Sequence, residues 1–368
     1  MNKSVNLNGA KTRNMGIECL RMLSMLMVVT LHVLGHGGIL KNSDMLSANF
    51  NAAWFLEIAC YGAVDLYALI TGYVCIKSKH RWSRIIELWL QVVLYSAAFA
   101  SIFYFLPGYE VSKKNLVHAF FPIMGKQYWY FSSYFCLFLV IPFINKAING
   151  LSKLQHRKLI FTGVFAFCFM SLFSKFLGGD IFNVNNGYSF LWLSFLYIIG
   201  AYLKCYPEDT ERYSKKICLS GYFICICCVW LSKLLINKIM GETKYSGLFI
   251  SYISPFIVLG SICLFMFFLQ LKVNHGRGFI VQAAPLAFSV YLISENVYVR
   301  NAFITNKFIK FTYVPWYLML IYVLLSSLSI YIVCSLIDYL RKLLFSLLHI
   351  RSLSEKTVNF IKNKFQSK

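Results

Sequence analysis

The sequence predicts an all-α, polytopic integral membrane protein, a helical bundle of about ten transmembrane helices with both termini in the cytoplasm. Three observations carry this. Of 368 residues, 58% are hydrophobic and 14% charged, where a soluble chain would carry about 25% charge. Apolar runs of membrane-spanning length recur along the whole chain, and the mean hydropathy is +0.62. The basic residues fall between those runs. With the N-terminus inside, 25 of the 36 Lys and Arg lie on the inner side and 11 on the outer, the bias that sets orientation. The net charge of +22 therefore reads as topology and contact with anionic membrane lipid, with no nucleic-acid partner.

Residues 1–14 make a cytoplasmic N-terminal segment with Lys3, Lys11 and Arg13. The membrane domain is expected over 15–337, with spans near 15–37, 54–76, 84–106, 128–148, 158–177, 188–204, 217–237, 248–271, 280–300 and 313–337. Span 1 contains Glu18 and Arg21 and lacks a small-residue cleavage site, so it reads as an anchor, not a removed signal. Residues 338–368 mix Leu, Phe and Ile with Lys and Arg, which predicts a basic amphipathic cytoplasmic tail. Internal repeats and paired Pro/Gly-interrupted spans are not evident. Most of the twelve cysteines lie within apolar runs, where Cys packs as a small hydrophobe, and no Cys/His cluster has zinc spacing. Cys205, in an inner loop, is a candidate for lipidation.

The sharpest feature lies in span 1. Arg21 and His32 are eleven helical steps apart, about three full turns, so both fall on one stripe and differ in depth by about 16 Å. Ionisable groups inside a bilayer are costly and point to function. His32 is the candidate general base, since a neutral imidazole takes a hydroxyl proton near neutral pH. A hydrogen-bonded interhelical histidine is the competing reading. His36, one turn further on, reads as an interface residue or a substrate contact. Arg21 could pair with Glu18 three residues before it, or meet an anion from inside.

Span 2 holds Asp65 near mid-membrane, where it could orient a ring, pair with Arg21 or be neutral. Gly62 and Gly72 would allow close helix approach. Glu57 falls at about the depth of His32. Arg81 and Arg84 open span 3, where a three-residue spacing at a helix N-terminus would suit phosphate, though positive-inside flanking explains them as well. Glu295 in span 9 lies again near the level of His32. Trp54, Tyr128, Trp129 and Tyr130 read either as an aromatic belt or as a sugar-stacking platform.

With those residues in view, the chain resembles the membrane acyltransferase-3 family. The likeness rests on Arg-x10-His at Arg21 and His32, on Val64-Asp65-Leu66 with Thr71-Gly72-Tyr73, and on Arg-x-x-Arg at Arg81 and Arg84. The Tyr128-Trp129-Tyr130 run leading to Pro142 and the ten-span plan extend it over about residues 15–337. Two departures stand out. Many members carry Tyr-Leu-x-His near the end of span 9, and here Ser294 ends Tyr291-Leu292-Ile293-Ser294, which moves any such role toward Glu295. Thr71 replaces the usual Ser.

The resemblance implies an O-acyltransferase that moves an acyl group, most often acetyl, from cytoplasmic acyl-CoA to a hydroxyl of an extracytoplasmic or lipid-linked glycan such as an exopolysaccharide. It implies Arg81, Arg84 and Arg21 at the acetyl-CoA phosphates and pantetheine arm. His32, Arg21, Asp65 and Glu295 would serve the chemistry, His36, Glu57, Trp129 and Tyr130 the acceptor. No metal is expected, and the implied location is the bacterial cytoplasmic membrane. A partner protein for acceptor delivery stays open. A carrier or flippase for lipid-linked sugars is the alternative, distinguished by acyl-CoA consumption. A glycan polymerase fits less well, because the longest outer loop is only about 20 residues.

Overall fold

The computed structural model describes residues 13–125, 127–241 and 245–366. The inner segment expected over 1–14, with Lys3 and Lys11, lies outside these residues except for Arg13 and Asn14. Among the described residues all regular structure is helical. Eight helices among the described residues are long and apolar enough to cross a membrane. In order they include α1 (Met15–Leu34), α2 (Ala48–Cys75), α3 (Ser83–Phe105), α4 (Trp129–Asn149) and α5 (Lys153–Lys175). Two shorter apolar helices, α6 (Phe190–Cys205) and α8 (Pro255–Leu269), alternate with α7 (Lys215–Met240), α9 (Arg277–Ser294) and α10 (Trp316–Leu347). An amphipathic α11 (Ile350–Gln366) follows.

Burial explains why α6 is short. Trp192, Leu193, Leu196, Tyr197 and Ala201 are all fully enclosed, so most of this helix is core, with Leu191 and Ser194 on its open face. It meets α2 through small residues used reciprocally. A Cβ on Gly72 would stand 2.1 Å from the Tyr197 carbonyl oxygen, and one on Gly200 would stand 2.1 Å from that of Leu69. Backbone is thus packed on backbone, as apolar surroundings favour. Gly72→Ala is expected to lower stability by about 1–3 kcal/mol through overpacking. A thermal-shift midpoint in detergent, compared with wild type, checks it.

Asn14 sets the start of α1. Its side-chain oxygen accepts from the Ile17 amide (3.2 Å), and its Nδ2 donates to the Leu269 carbonyl (3.0 Å) at the end of α8. Gly16 lies against the same turn, where a Cβ would sit 1.9 Å from the Phe268 oxygen. By contrast, α7 and α10 present broad apolar faces outward, including Ile224, Leu235, Leu325 and Leu336, as lipid contact requires.

Spans α2 and α9 are interrupted, where the sequence predicts continuous helices. The helix of α2 breaks at Gly62, and α9 tightens into a 3-10 turn at Ala284–Leu286 around Pro285. A lone Gly or Pro in a long apolar run is a weak signal, because neighbouring helices can satisfy the freed backbone. At this break the Gly62 carbonyl accepts from the Leu66 amide (3.0 Å) and also from the Ser261 hydroxyl (3.4 Å). At the other end of the chain, α10 runs straight through the boundary expected at 337/338. Asp338 is fully buried rather than part of a tail. It accepts hydrogen bonds from Tyr95 (2.7 Å), Ser289 (2.5 Å) and both Nε and Nη2 of Arg341 (2.8 Å each).

Candidate active site

Two cavities of about 380 Å³ each lie end to end in the bundle. They share Tyr67, Tyr130 and Phe288 as a common wall. The face of α1 lines both, with His32 in one and Arg21 in the other. The single stripe expected from their spacing is therefore realised as one face exposed to two chambers.

In the first chamber, Nε2 of His32 stands 3.2 Å from Oε2 of Glu295. The alignment falls short of a hydrogen bond, and His32 Nδ1 and Glu295 Oε2 are both buried without partners. Nε2 of His36 lies 3.7 Å from the same oxygen. The other carboxylate oxygen of Glu295 accepts from Nη1 of Arg300. Local sequence makes this possible. Helix α9 ends at Ser294, Glu295 caps it, and Asn296 starts the short helix Val297–Phe303 that carries Arg300. Asn296 also donates to the Tyr128 hydroxyl (3.0 Å), which in turn donates to the Leu292 carbonyl (3.0 Å). Glu57 closes another side, its Oε2 buried and unpartnered. Trp129 packs on Tyr188 with ring centroids 4.5 Å apart and on Tyr252 at 6.1 Å, forming an aromatic wall beside Tyr130.

The second chamber gathers cations. Arg21, Arg84 and Arg341 all line it. Glu18 holds Nη1 of Arg21 at 2.7 Å, so the intrahelical pair forms while the residue still faces the chamber. Among the described residues Arg84 has no carboxylate within ion-pair distance. Glu87, Gln91 and Thr71 supply further polar groups.

Residues 14–339 match the acyltransferase-3 family, described as an acyltransferase domain. The chain belongs to this family. It is a membrane acyltransferase. No curated protein and no solved structure matches it.

Not every expected residue reaches a chamber of this acyltransferase. Asp65 is fully buried, accepts from Trp192 Nε1 at 3.0 Å, and lines neither cavity. It meets neither His32 nor Arg21. The reason is helical phase: Glu57, Tyr61 and Val64 face the first chamber, and Asp65 lies about 100° further round. Arg81 is also elsewhere. The helix of α3 begins at Ser83, so Arg81 precedes it and does not share a helical face with Arg84. Its guanidinium sits 3.2 Å from Glu355 of α11 and 3.8 Å from Glu87.

Arg300 and Arg341 were not legible as site residues. Arg300 follows Glu295 by five positions across a helix break, and Arg341 reads as one more basic residue near the C-terminus. His32, His36 and Glu295 have donor atoms within 4.8 Å of one another, the arrangement a metal ion would use. Arg300 already holds one oxygen of Glu295 and its charge opposes a second cation there, which favours a proton-handling role for the group.

Proposed function

We propose that this acyltransferase moves an acyl group, most readily acetyl, from cytoplasmic acyl-CoA to a hydroxyl of an extracytoplasmic or lipid-linked glycan. In this reading both termini are cytoplasmic, and the membrane is the bacterial cytoplasmic one. The observation that carries it is the pair of chambers meeting at Tyr67, Tyr130 and Phe288, with arginines on one side and an imidazole with a carboxylate on the other.

Arg84, Arg21 and Arg341 suit the phosphates of CoA, since guanidinium groups bind phosphate oxygens in bidentate pairs. Arg81 would join them only after leaving Glu355. The pantetheine arm would pass the shared aromatic wall and bring its thioester to His32. His32 takes the proton of the acceptor hydroxyl as that oxygen attacks the thioester carbonyl, and Glu295 stabilises the imidazolium that forms. Collapse of the tetrahedral intermediate breaks the C–S bond, and the departing thiolate takes the proton back from His32. The ester stays on the glycan and CoA leaves on the cytoplasmic side. Trp129, Tyr188 and Tyr252 offer the face on which a sugar ring packs, His36 flanks it, and the unpartnered oxygen of Glu57 accepts from a sugar hydroxyl.

The test is transfer of label from radiolabelled acetyl-CoA to membrane glycan, in membranes with and without the protein. Labelling that depends on the protein supports the reading. Equal background in both, with folded protein present, sinks it for acetyl-CoA. Arg84→Ala should raise KM for acetyl-CoA by about 10–100-fold, the worth of a charge-assisted phosphate contact, with a smaller effect on kcat. Initial rates over a range of acetyl-CoA concentrations measure that split.

A further inference from the structure

Two more cavities follow from the His32 chamber in series, and the proposed reaction leaves both without a role. The first, about 460 Å³, is polar. Lys175, Asn186, Tyr245 and Ser251 line it, and it shares Tyr61 and Tyr188 with the His32 chamber. The second, about 680 Å³, is lined only by apolar side chains, among them Phe169, Phe173, Phe256 and Leu259. It meets the polar cavity at Leu248. Phe173 is 67% exposed and Leu259 52%, so this groove opens on the outer surface of the bundle, where hydrocarbon would lie.

Lys175 is the key residue. It ends α5, whose second half is otherwise apolar or hydroxylic. A lysine at such a place often extends its ammonium along the helix toward water. This one instead turns across to the loop that precedes α8, where Nζ donates to the Ser251 hydroxyl at 3.1 Å. Among the described residues no carboxylate lies within ion-pair distance of it. The nearby Asp180 is committed to its own loop, accepting from the amides of Val184 (3.1 Å) and Asn185 (2.6 Å). A cation with no carboxylate in ion-pair contact, at the edge of an apolar groove, is matched best by an anion that arrives with the ligand.

From this order of chambers we infer that the structure contains a lipid-phosphate site: the apolar groove takes a hydrocarbon tail, Lys175 takes the phosphate, and the attached sugar reaches past Tyr61 and Tyr188 to His32. The inference deepens the proposed function by naming the acceptor class as a lipid-linked phosphosaccharide. A free polysaccharide would leave the groove unused, and free phosphate would need neither the groove nor the opening to His32.

Binding can be measured without acyl-CoA, so it stands or falls apart from the reaction. The purified full chain in detergent is titrated with phytanyl phosphate, with phytanol as the neutral control, and complexes are counted by native mass spectrometry. The site requires phytanyl phosphate to bind about tenfold or more tighter than phytanol, the scale of one charge-assisted contact. Lys175→Gln should abolish that difference and Lys175→Arg should keep it, which also controls for folding. Leu259→Trp, which fills the groove, should weaken both lipids. Equal binding of the two lipids, or a preference that survives Lys175→Gln, overturns the inference. Displacement of phytanyl phosphate by equimolar inorganic phosphate also overturns it, since the tail would then contribute nothing. Loss of binding leaves the His32 chemistry standing, whereas intact binding with no protein-dependent acetyl labelling removes the reaction and keeps the site.

Discussion

His32→Ala should lower acyl transfer by about 10²–10⁴-fold at equal amounts of folded protein, the usual contribution of a positioned general base. The expectation rests on three placements. His32 lines a chamber shared with Glu57 and the Trp129 wall. Its ring faces a carboxylate at 3.2 Å. That carboxylate is anchored by Arg300, so it cannot easily swing away when the imidazole gains a proton. Glu295→Gln keeps an oxygen for Arg300 but removes the charge that stabilises the imidazolium, so its loss should be smaller than that of His32→Ala. His36 is a useful contrast. It is more exposed and stands 3.7 Å from Glu295, and His36→Ala should cost much less. Initial rates of acetyl transfer for the three variants order these roles. Activity unchanged in His32→Ala would return the residue to packing.

Periodicity and charge were enough to place the helices, because a bilayer demands long apolar runs and puts cations at their ends. The same reasoning set Arg21 and His32 on one stripe, since three turns of helix allow no other arrangement. It failed where a helix stops. Arg81 and Arg84 share a face only if the helix includes both, and it begins between them. Arg300 reaches Glu295 only because α9 ends at Ser294 and the chain turns. Nor does hydropathy tell a cavity-facing residue from one a single step away, as Asp65 and Val64 show. Which neighbour a buried carboxylate finds is decided by another helix, here Trp192 on α6.

The largest effect on stability is expected at Asp338. Tyr95, Ser289 and Arg341 all depend on its carboxylate, and Gln91 extends the network by donating to Ser289. Asp338→Ala would strand the largely enclosed Arg341 guanidinium, whose side chain is 14% exposed, and leave two hydroxyls without an acceptor. Breaking one side of such a pair costs about 3–5 kcal/mol, more than the pair is worth when both partners are removed together. Asp338→Ala/Arg341→Ala should therefore regain part of the lost thermal stability. It should not regain donor binding, because Arg341 also lines the chamber assigned to the CoA phosphates. Thermal midpoints and KM for acetyl-CoA, measured on both single variants and the double variant, separate the two roles. If stability and KM recover together, Arg341 is only a partner for Asp338. If stability recovers and KM stays high, the network that holds α3, α9 and α10 together also aims an arginine at the donor.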